Sequence, residues 1–520
     1  MIDGRTSPRW DGMLAPERRV AWALFASCWL VLTLHFATNI SREHYPAMAL
    51  AEHGTLAVDE YVGLHPDLFV APNGHAYINN NPGVSVLAAL PLFLARPALS
   101  AAETYGQRKL AASAGAVSAR YDDPRPNRQK FYRQVRERGL DIKFGMVSLV
   151  TVAFFMAPLT ALAGVLFYGL LRALRLPQGR ALLYAVLLVF GTPLFFRAGY
   201  LNHNHVLGLA LFLGFVLLWR PGAAVPTPRP FALMMAGVLG GFAVFCDYSA
   251  AVPLAFLSCY ALLRLWKAPA GGPGDYMALG RGVAWFAAGA SVPLVALFAY
   301  QWTAFGSPWR PAQFLMPDTT YSGQGVRGMS WPAADLFAAN LFDLRFGLFA
   351  FCPLLLLGIP GIWLAPRSWF SRPEKVLLAA AGVAFLLFCS ANQFARMQWN
   401  TGVRYLVPMV PFLMLGVVVV LERVSVRMRY ILAAAAFAQS WAIAMVRESV
   451  PESLITVLTH GPQLPWLTVL GKMAPQYLRG LDGAPPAWPL LLIAAGCLWL
   501  VWRAVLRSRP AALRSMESPA

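Results

Sequence analysis

Apolar runs of membrane-spanning length recur along almost the whole chain and constrain its fold more than any other feature. Hydrophobic residues make up 58% of the 520 positions and charged residues only 13%, whereas a soluble domain carries roughly 25% charged residues. Such runs cross a bilayer as helices, and the alternating segments of barrel strands are missing. We therefore predict an all-α polytopic membrane protein of about 12–13 transmembrane helices. The candidate spans are 20–38, 84–99, 144–171, 181–197, 205–219, 230–246, 248–266, 283–302, 345–364, 376–392, 405–421, 430–446 and 486–505.

Short basic loops between the spans account for much of the net charge of +19. Cytoplasmic loops of membrane proteins carry this excess of Lys and Arg, so the charge indicates a membrane partner and no nucleic acid. We expect a transmembrane domain over 1–505 and a short cytoplasmic tail over 506–520. With the N-terminus, which carries Arg18 and Arg19, on the cytoplasmic side, the loop 41–83 lies on the extracytoplasmic side. The loops predicted to be cytoplasmic are 172–180, 264–282, 366–375 and 422–429.

The segment 99–143 conflicts with this topology. It holds ten Lys or Arg residues and so resembles a cytoplasmic loop, yet the count from the tail places it outside. Either 84–99 enters the membrane without crossing it, because its prolines break the helix, or a span is miscounted in the run 230–266. Within the segment, 126–142 has the pattern of an amphipathic helix on a lipid surface, or of a solvated charged loop.

The loop 41–83 runs against the charge of the chain, because it holds five carboxylates and a single Arg or Lys. A carboxylate that is partly desolvated at the membrane surface can act as a general base towards a hydroxyl or amine. Glu43 lies directly after the first span, and Asp59 and Asp67 are further acidic residues of this loop. We predict that this loop, with its juxtamembrane helices, carries the catalytic group.

Histidines are concentrated in the same loop, but their spacings match no common zinc pattern. We predict no metal cofactor, with a divalent ion kept as an alternative. In the segment NHNH, His203 and His205 would face different sides of a helix, and His203 is a candidate for lining a cavity. The loop histidines are His44, His53, His65 and His75.

Arginines at two predicted outer span ends are candidates for binding a phosphate, because the guanidinium group offers a planar fork of donors. Arg404 lies beside Trp399 and Tyr405, just before a helix that prolines interrupt, and Arg345 lies in a similar segment. Interrupted helices are tolerated at membrane depth where they line a cavity. The sequence contains no P-loop, dinucleotide fingerprint, nucleophile elbow or HExxH motif.

Several segments resemble bacterial membrane glycosyltransferases of the GT-C superfamily, the relatives of protein mannosyltransferases and aminoarabinose transferase. They are EHYPAMALAEHGTLAVDEY with NGHAYINNNPGVSVLAALPLF in the first loop, FGSPW at 305–309, LRFGLFAFCPLLLL at 344–357, and W…GVRYLVPMVPFL from Trp399. Together they span most of the chain, and each is short. The resemblance implies a multi-span helical enzyme that uses a polyprenyl-phosphate sugar donor and an acceptor bound on the outer face.

The resemblance also implies that the first loop carries the catalytic carboxylate shortly after the first span and before an aromatic residue. Glu43, two residues before Tyr45, is the nearest match, and Asp59 is the second. Relatives often have Lys in the pattern Y-x-N-K-x-P-G, where this chain has Asn80. If that Lys meets the donor phosphate in relatives, then Arg404, Arg345 or His75 replaces it here, or the donor headgroup differs.

We therefore predict an enzyme that moves a sugar from a polyprenyl-phosphate donor to an envelope glycan, lipid or protein, at the periplasmic face of a bacterial inner membrane. Glu43 and Asp59 are the predicted catalytic residues. The predicted substrate cavity is lined by Tyr45, Asp67, Trp399, Tyr405 and His203. Two alternatives are a transporter or flippase of a lipid-linked glycan and a non-catalytic subunit of envelope assembly.

Overall fold

Helices form nearly all of the regular structure, with one short strand pair. A computed structural model describes residues 15–112, 126–219, 221, 228–266, 276–397, 402–473 and 483–507. Trp399 and most of the predicted tail lie outside these residues. The helices of the first half are α1 (Ala15–Leu34), α2 (His44–His53), α3 (Gly83–Leu94), α4 (Arg96–Ala112), α5 (Pro126–Glu137), α6 (Asp141–Thr151), α7 (Ala157–Ala173), α8 (Gln178–Phe190), α9 (Leu194–Ala198), α10 (His203–Leu218) and α11 (Pro230–Cys246).

The second half continues in the same manner. Its helices are α12 (Ala251–Trp266), α13 (Tyr276–Phe305), α14 (Ala334–Phe342), α15 (Leu348–Phe351), α16 (Gly358–Leu364), α17 (Arg372–Ala391), α18 (Val410–Leu421), α19 (Val426–Val446), α20 (Val450–His460), α21 (Pro465–Met473) and α22 (Trp488–Arg507). The strands are β1 (Leu68–Val70) and β2 (Ala76–Ile78). Short 3₁₀ turns are Asp59–Tyr61, Tyr248–Ala250, Ala312–Phe314, Pro353–Leu357, Gln393–Arg396 and Val407–Met409, and one π-helical turn is Val152–Met156.

The all-α polytopic fold is confirmed, and each of the thirteen predicted spans coincides with one helix or a pair of helices. Six of the described helices are long and apolar enough to cross a membrane, or seven if the bent pair of α3 and α4 is one span. This number is lower than 12–13 because five further apolar helices have only 10–17 residues. In addition, the first turn of α1 carries Glu17, Arg18 and Arg19.

A bend of 80° separates α3 from α4, in the segment where the predicted topology conflicts. Beyond it, Lys143 Nζ lies 2.9 Å from carboxylate oxygens of both Glu52 and Glu103, and Arg138 donates to the carbonyl oxygens of Glu60 at 3.1 Å and Val62 at 2.7 Å. The end of the basic segment therefore lies on the same face of the protein as the acidic loop.

Most of the segment 126–142, which has the pattern of an amphipathic helix, forms helix α5. Val135 is buried, and Phe131 packs on Phe144 with ring centroids 6.5 Å apart. Ile142 belongs to the next helix, α6. The apolar face of α5 thus packs on the protein, beneath the first loop.

The first loop is ordered by a small apolar core of its own. Tyr45 and Tyr61 are fully buried, with ring centroids 5.4 Å apart, and both pack on Phe144. The antiparallel pair β1–β2, in the register Phe69↔Tyr77, closes the loop over this core. The strand pair was not predicted from the sequence.

Helix α10 is buried on nearly all sides and lies at the centre of the helices, with α18 beside it. A Cβ at Gly208 of α10 would lie 2.7 Å from Cα of Pro408, so the two segments are in backbone contact. Small residues permit such close approach between helices in a membrane. This packing fixes the N-terminus of α10 beneath the first loop.

We predict that the acidic loop and α5 are reached from one side of the membrane. In a cysteine-free background, V70C and R133C should react with a membrane-impermeant thiol reagent in intact cells, because both positions are exposed at this face. R427C, in a loop predicted to be cytoplasmic, should react only after permeabilisation. Labelling of V70C without R133C in intact cells would show that α4 and α5 lie on the opposite side.

Candidate active site

Glu43 is held between three parts of the chain. It precedes α2, and its backbone carbonyl accepts a hydrogen bond from Ser85 Oγ of α3 at 2.8 Å. Ser41 Oγ, two residues earlier, donates to the carbonyl oxygen of Leu201 at 2.7 Å. These bonds place the Glu43 side chain, which is only 3% exposed, against the start of α10.

The Glu43 carboxylate contacts the first residue of α10 directly. Its Oε1 forms a hydrogen-bonded pair with Nδ1 of His203, whose side chain is also 3% exposed. The positive end of the α10 dipole adds to this interaction. The His203 ring is therefore oriented by a buried carboxylate on one nitrogen.

The second nitrogen of His203 faces a second carboxylate. Its Nε2 lies 3.4 Å from Oδ2 of Asp247, a residue at the break between α11 and α12. The amide Nδ2 of Asn204 lies 3.0 Å from the same nitrogen. Glu43, His203 and Asp247 thus form a carboxylate–imidazole–carboxylate cluster, in which the Asp247 side chain is the more open at 19% exposure.

Arg42 balances the charge of this cluster. Its Nε lies 3.7 Å from Oε1 of Glu43, and its Nη1 donates to Oδ2 of Asp67 at 3.4 Å and to the carbonyl oxygen of Asn79 at 3.1 Å. Burial opposes the ionised form of Glu43, but the hydrogen bond and charge of His203 together with Arg42 hold the pKa of Glu43 well below its usual value. The carboxylate is therefore ionised at neutral pH.

Arg404 and Tyr405 lie within electrostatic range of first-loop residues near Glu43. Burial lowers the pKa of His65, and Arg42 and Arg404 add to this effect, while Asp67 and Glu43 oppose it. The Arg404 guanidinium lies 4.9 Å from the centre of the Tyr405 ring. The structure thus brings His203 against Glu43 and places Asp67, Arg404 and Tyr405 near the neighbouring residues Arg42 and His65.

Two buried arginines that the sequence analysis did not single out border this region. The Arg197 and Arg447 guanidinium groups lie 4.8 Å and 5.0 Å from the centre of the Tyr200 ring. Arg197 is in electrostatic range of both Arg404 and Glu43. The residues of this region that the sequence did not predict are Arg42, Asp247 and Arg197. Asp247 lies between the predicted spans 230–246 and 248–266, but no sequence signal linked it to His203.

The second predicted carboxylate, Asp59, lies in an exposed turn. It accepts hydrogen bonds from the backbone N–H of Ala76 at 2.5 Å and pairs with Nδ1 of His75 at 2.8 Å. The bond from Ala76 is the main cause that lowers the pKa of Asp59, and His75 adds to it. No contact between this pair and Glu43 is found among the described residues.

The other predicted residues have local roles in the structure. Arg345 is exposed at 75% and pairs with Asp343, two residues away, at 3.4 Å. Asn80 is buried, donates to the carbonyl oxygen of Asn81 at 3.2 Å, and has an Oδ1 with no hydrogen-bond partner in the described part of the chain. Tyr45 packs inside the loop core, and its hydroxyl lies 3.4 Å from the carbonyl oxygen of Leu64.

The four loop histidines have four different environments. His44 is buried with Nε2 at 3.1 Å from Thr151 Oγ1, and burial lowers its pKa to about 4. His53 lies 3.5 Å from Glu60, and their side chains converge with Glu52 into one group of metal-type ligands within 4.8 Å. Glu52 in that group already pairs with Lys143.

We predict that Glu43 contributes stability that depends on pH. Its folded-state pKa lies below the ordinary value, so its contribution is present above that ordinary value and is lost as the pH falls through the folded-state pKa. E43Q should lower the melting temperature at pH 7, because it leaves His203 and Arg42 without their shared partner, a type of loss that costs about 3–5 kcal/mol.

Melting curves of wild type and E43Q in detergent between pH 7 and pH 3 check this expectation. The gap between the two melting temperatures should narrow on acidification, whereas E137Q, a substitution on the exposed face of α5, should follow the wild type. A gap that stays constant down to pH 3 would contradict a depressed Glu43 pKa.

Comparisons of the chain with protein-family models, with curated proteins and with solved structures each gave no match.

Proposed function

We propose that this chain is a glycosyltransferase that takes a sugar from a polyprenyl-phosphate donor at the extracytoplasmic face of a bacterial inner membrane. The acceptor is an envelope glycan, lipid or protein. One observation carries the proposal: the carboxylate predicted to be catalytic is buried beside an imidazole and a second carboxylate, in a region rich in arginine. This is the chemistry that removal of a proton and release of a phosphate require.

In the proposed reaction, an acceptor hydroxyl or amine attacks the anomeric carbon of the donor sugar. A new bond forms between acceptor and sugar, the bond from the sugar to the phosphate oxygen breaks, and polyprenyl phosphate leaves with the electron pair. The acceptor proton passes to the cluster of Glu43, His203 and Asp247. The depressed pKa of Glu43 makes it a weak base, so its role is to orient His203 and to offset the charge of the imidazole. The more open Asp247 faces the acceptor.

Positive charge is available for the donor phosphate on the same side of the protein. Arg404 is half-buried, lies on the Tyr405 ring and has no carboxylate partner among the contacts of the described residues. Arg42 is already shared between Glu43 and Asp67, so it is less available. We therefore assign the leaving phosphate to Arg404, with Arg197 behind it.

Residues placed outside this region take no part in the proposed reaction. Arg345 is neutralised by Asp343, and His75 by Asp59, both at exposed positions. Of the predicted phosphate-binding residues, Arg404 is therefore the one retained, and of the predicted carboxylates Glu43 is retained, with Asp247 added. The proposed reaction needs no metal ion, because Arg42 offsets the charge of the cluster.

We predict that E43Q and D247N each lower sugar transfer by about 10²–10⁴-fold, the usual contribution of a positioned acid–base group. D59N should keep wild-type activity, because Asp59 lies in an exposed turn. The measurement is transfer of radiolabelled sugar from a polyprenyl-phosphate donor by purified protein in nanodiscs, with melting temperatures recorded to separate lost chemistry from lost folding.

The same assay distinguishes the alternatives. Loss of activity in D59N together with full activity in folded E43Q would reverse the assignment of the carboxylate. Movement of an intact lipid-linked sugar across vesicles, with no transfer to any acceptor, would favour a flippase and refute the proposed reaction.

A further inference from the structure

Two arginines beside the candidate active site place their guanidinium groups against one buried aromatic ring. Arg197 is 2% exposed and Arg447 is 7% exposed. Their guanidinium carbons lie 4.8 Å and 5.0 Å from the centre of the ring of Tyr200, which is fully buried. The two guanidinium groups are also in electrostatic range of each other. Two like charges are thus held out of water close together, an arrangement that calls for compensating negative charge.

The charged groups near Arg197 do not supply this compensation. Glu43 is in electrostatic range of Arg197, but its carboxylate is already shared between His203 and Arg42. Arg404 is in range of Arg197 as well and adds a further positive charge. Among the described residues, no carboxylate forms an ion pair with Arg197, so this region keeps an excess of positive charge.

The backbone is arranged to bring Arg447 to the same place. Arg447 caps the end of α19 in a left-handed conformation with a φ of 66°, which glycine adopts at much lower cost. A Cβ at Gly199 would lie 2.7 Å from Nη1 of Arg447, so the guanidinium group lies directly against the Gly199 backbone. The neighbouring charges in range of Arg447, those of Glu448 and Arg128, are of opposite sign and offset each other. A positive charge is therefore placed here despite an unfavourable backbone conformation.

Hydrogen-bond donors next to the two guanidinium groups have no partner among the described residues. They are Nε of Arg197 and the hydroxyl of Tyr200, both buried. Buried polar groups are nearly always paired with protein, with water or with an ion. An N–H and an O–H group beside two positive charges provide the chemistry that binds an anion.

We propose that Arg197, Arg447 and Tyr200 form an enclosed site for a small inorganic anion of the size of chloride. The three residues are at most 7% exposed, so an anion that carries a sugar or a lipid chain does not fit among them. The anion accepts from the Tyr200 hydroxyl and offsets the charge of both arginines. The site is separate from the donor phosphate assigned to Arg404, and the inference does not rest on the proposed function.

The anion site is connected to the start of α10. Asn202, the N-cap of this helix, donates through Nδ2 to the carbonyl oxygens of Arg197 at 2.7 Å and Tyr200 at 3.0 Å. Its Oδ1 accepts a hydrogen bond from the backbone N–H of His205 at 3.1 Å. The segment that holds the anion is therefore the segment that caps the helix on which His203 is the first residue. An anion that fixes Arg197 and Tyr200 thus also fixes the position of His203.

The first test measures melting temperatures of the full-length protein in detergent at pH 7 and constant ionic strength, while gluconate is replaced stepwise by chloride or bromide. A ligand that binds only the folded state raises the melting temperature in proportion to the logarithm of its concentration above Kd. We expect a rise of a few degrees in the wild type, a several-fold weaker apparent affinity in Y200F, which keeps the ring, and no response in R447Q. R345Q is the matched control, because Arg345 is an exposed arginine paired with Asp343, and it should respond like the wild type.

Three results would overturn the assignment. One is an equal response of wild type, Y200F and R447Q, or a response that follows ionic strength and not the identity of the anion. Another is loss of the halide response in R404Q, which would place the anion in the donor phosphate site. The third is a protein that responds to an anionic phospholipid and not to halide, which would show that a lipid phosphate occupies the site.

Bromide also locates the site directly. In crystals of the full-length protein grown in bromide, an anomalous difference peak should lie between the guanidinium groups of Arg197 and Arg447. Peaks at exposed positions alone, which mean an adventitious ion only, would contradict the proposal. Neither measurement uses sugar transfer, so a failure of the proposed function leaves this result unaffected.

Discussion

The buried contact between Glu43 and His203 is the interaction on which the arrangement of the first loop and the central helix α10 depends. It joins two residues 160 positions apart and ties the first loop to the start of the central helix α10. Two charged or polar groups with 3% exposure are costly to remove from water, and only mutual pairing with further hydrogen bonds offsets that cost. Arg42, Asn204 and Asp247 supply those further interactions. This contact fixes the start of the loop, and the apolar core around Tyr45 and Tyr61 orders the rest.

Charge compensation explains why the basic segment 99–143 and the acidic loop 41–83 lie together. Lys143 is 3% exposed and lies between Glu52 and Glu103, and Arg138 caps carbonyl groups of the loop. Such contacts give basic residues a partner within the protein, so their number does not report the side of the membrane. The bend of 80° after α3 interrupts the apolar stretch, and the contacts of Lys143 and Arg138 hold the end of the basic segment against the first loop.

The elements that sequence reasoning located well were those set by local composition. Apolar runs fix where helices form, and the loop 41–83 was marked by its charge and by the position of Glu43 directly after a span. The interruption of the helix at Asp247 was visible, yet its partner was not, because a contact between α10 and the break after α11 depends on helix packing. The solvent exposure of each loop carboxylate could not be predicted from the sequence either. Asp59 and Glu43 are both loop carboxylates in the sequence, and only the fold makes one exposed and the other buried.

Asn80 bears on how the proposed site would hold the donor phosphate. Its side chain is a buried amide whose Oδ1 has no hydrogen-bond partner among the described residues. Arg42 donates to the carbonyl oxygen of Asn79, the adjacent residue, so a guanidinium group already lies beside this segment. A second cation at position 80 would be buried, and burial of an unpaired charge is costly. The neutral amide is therefore suited to a position beside Arg42, and in the proposed site Arg404 takes the role that the pattern Y-x-N-K-x-P-G gives to a lysine.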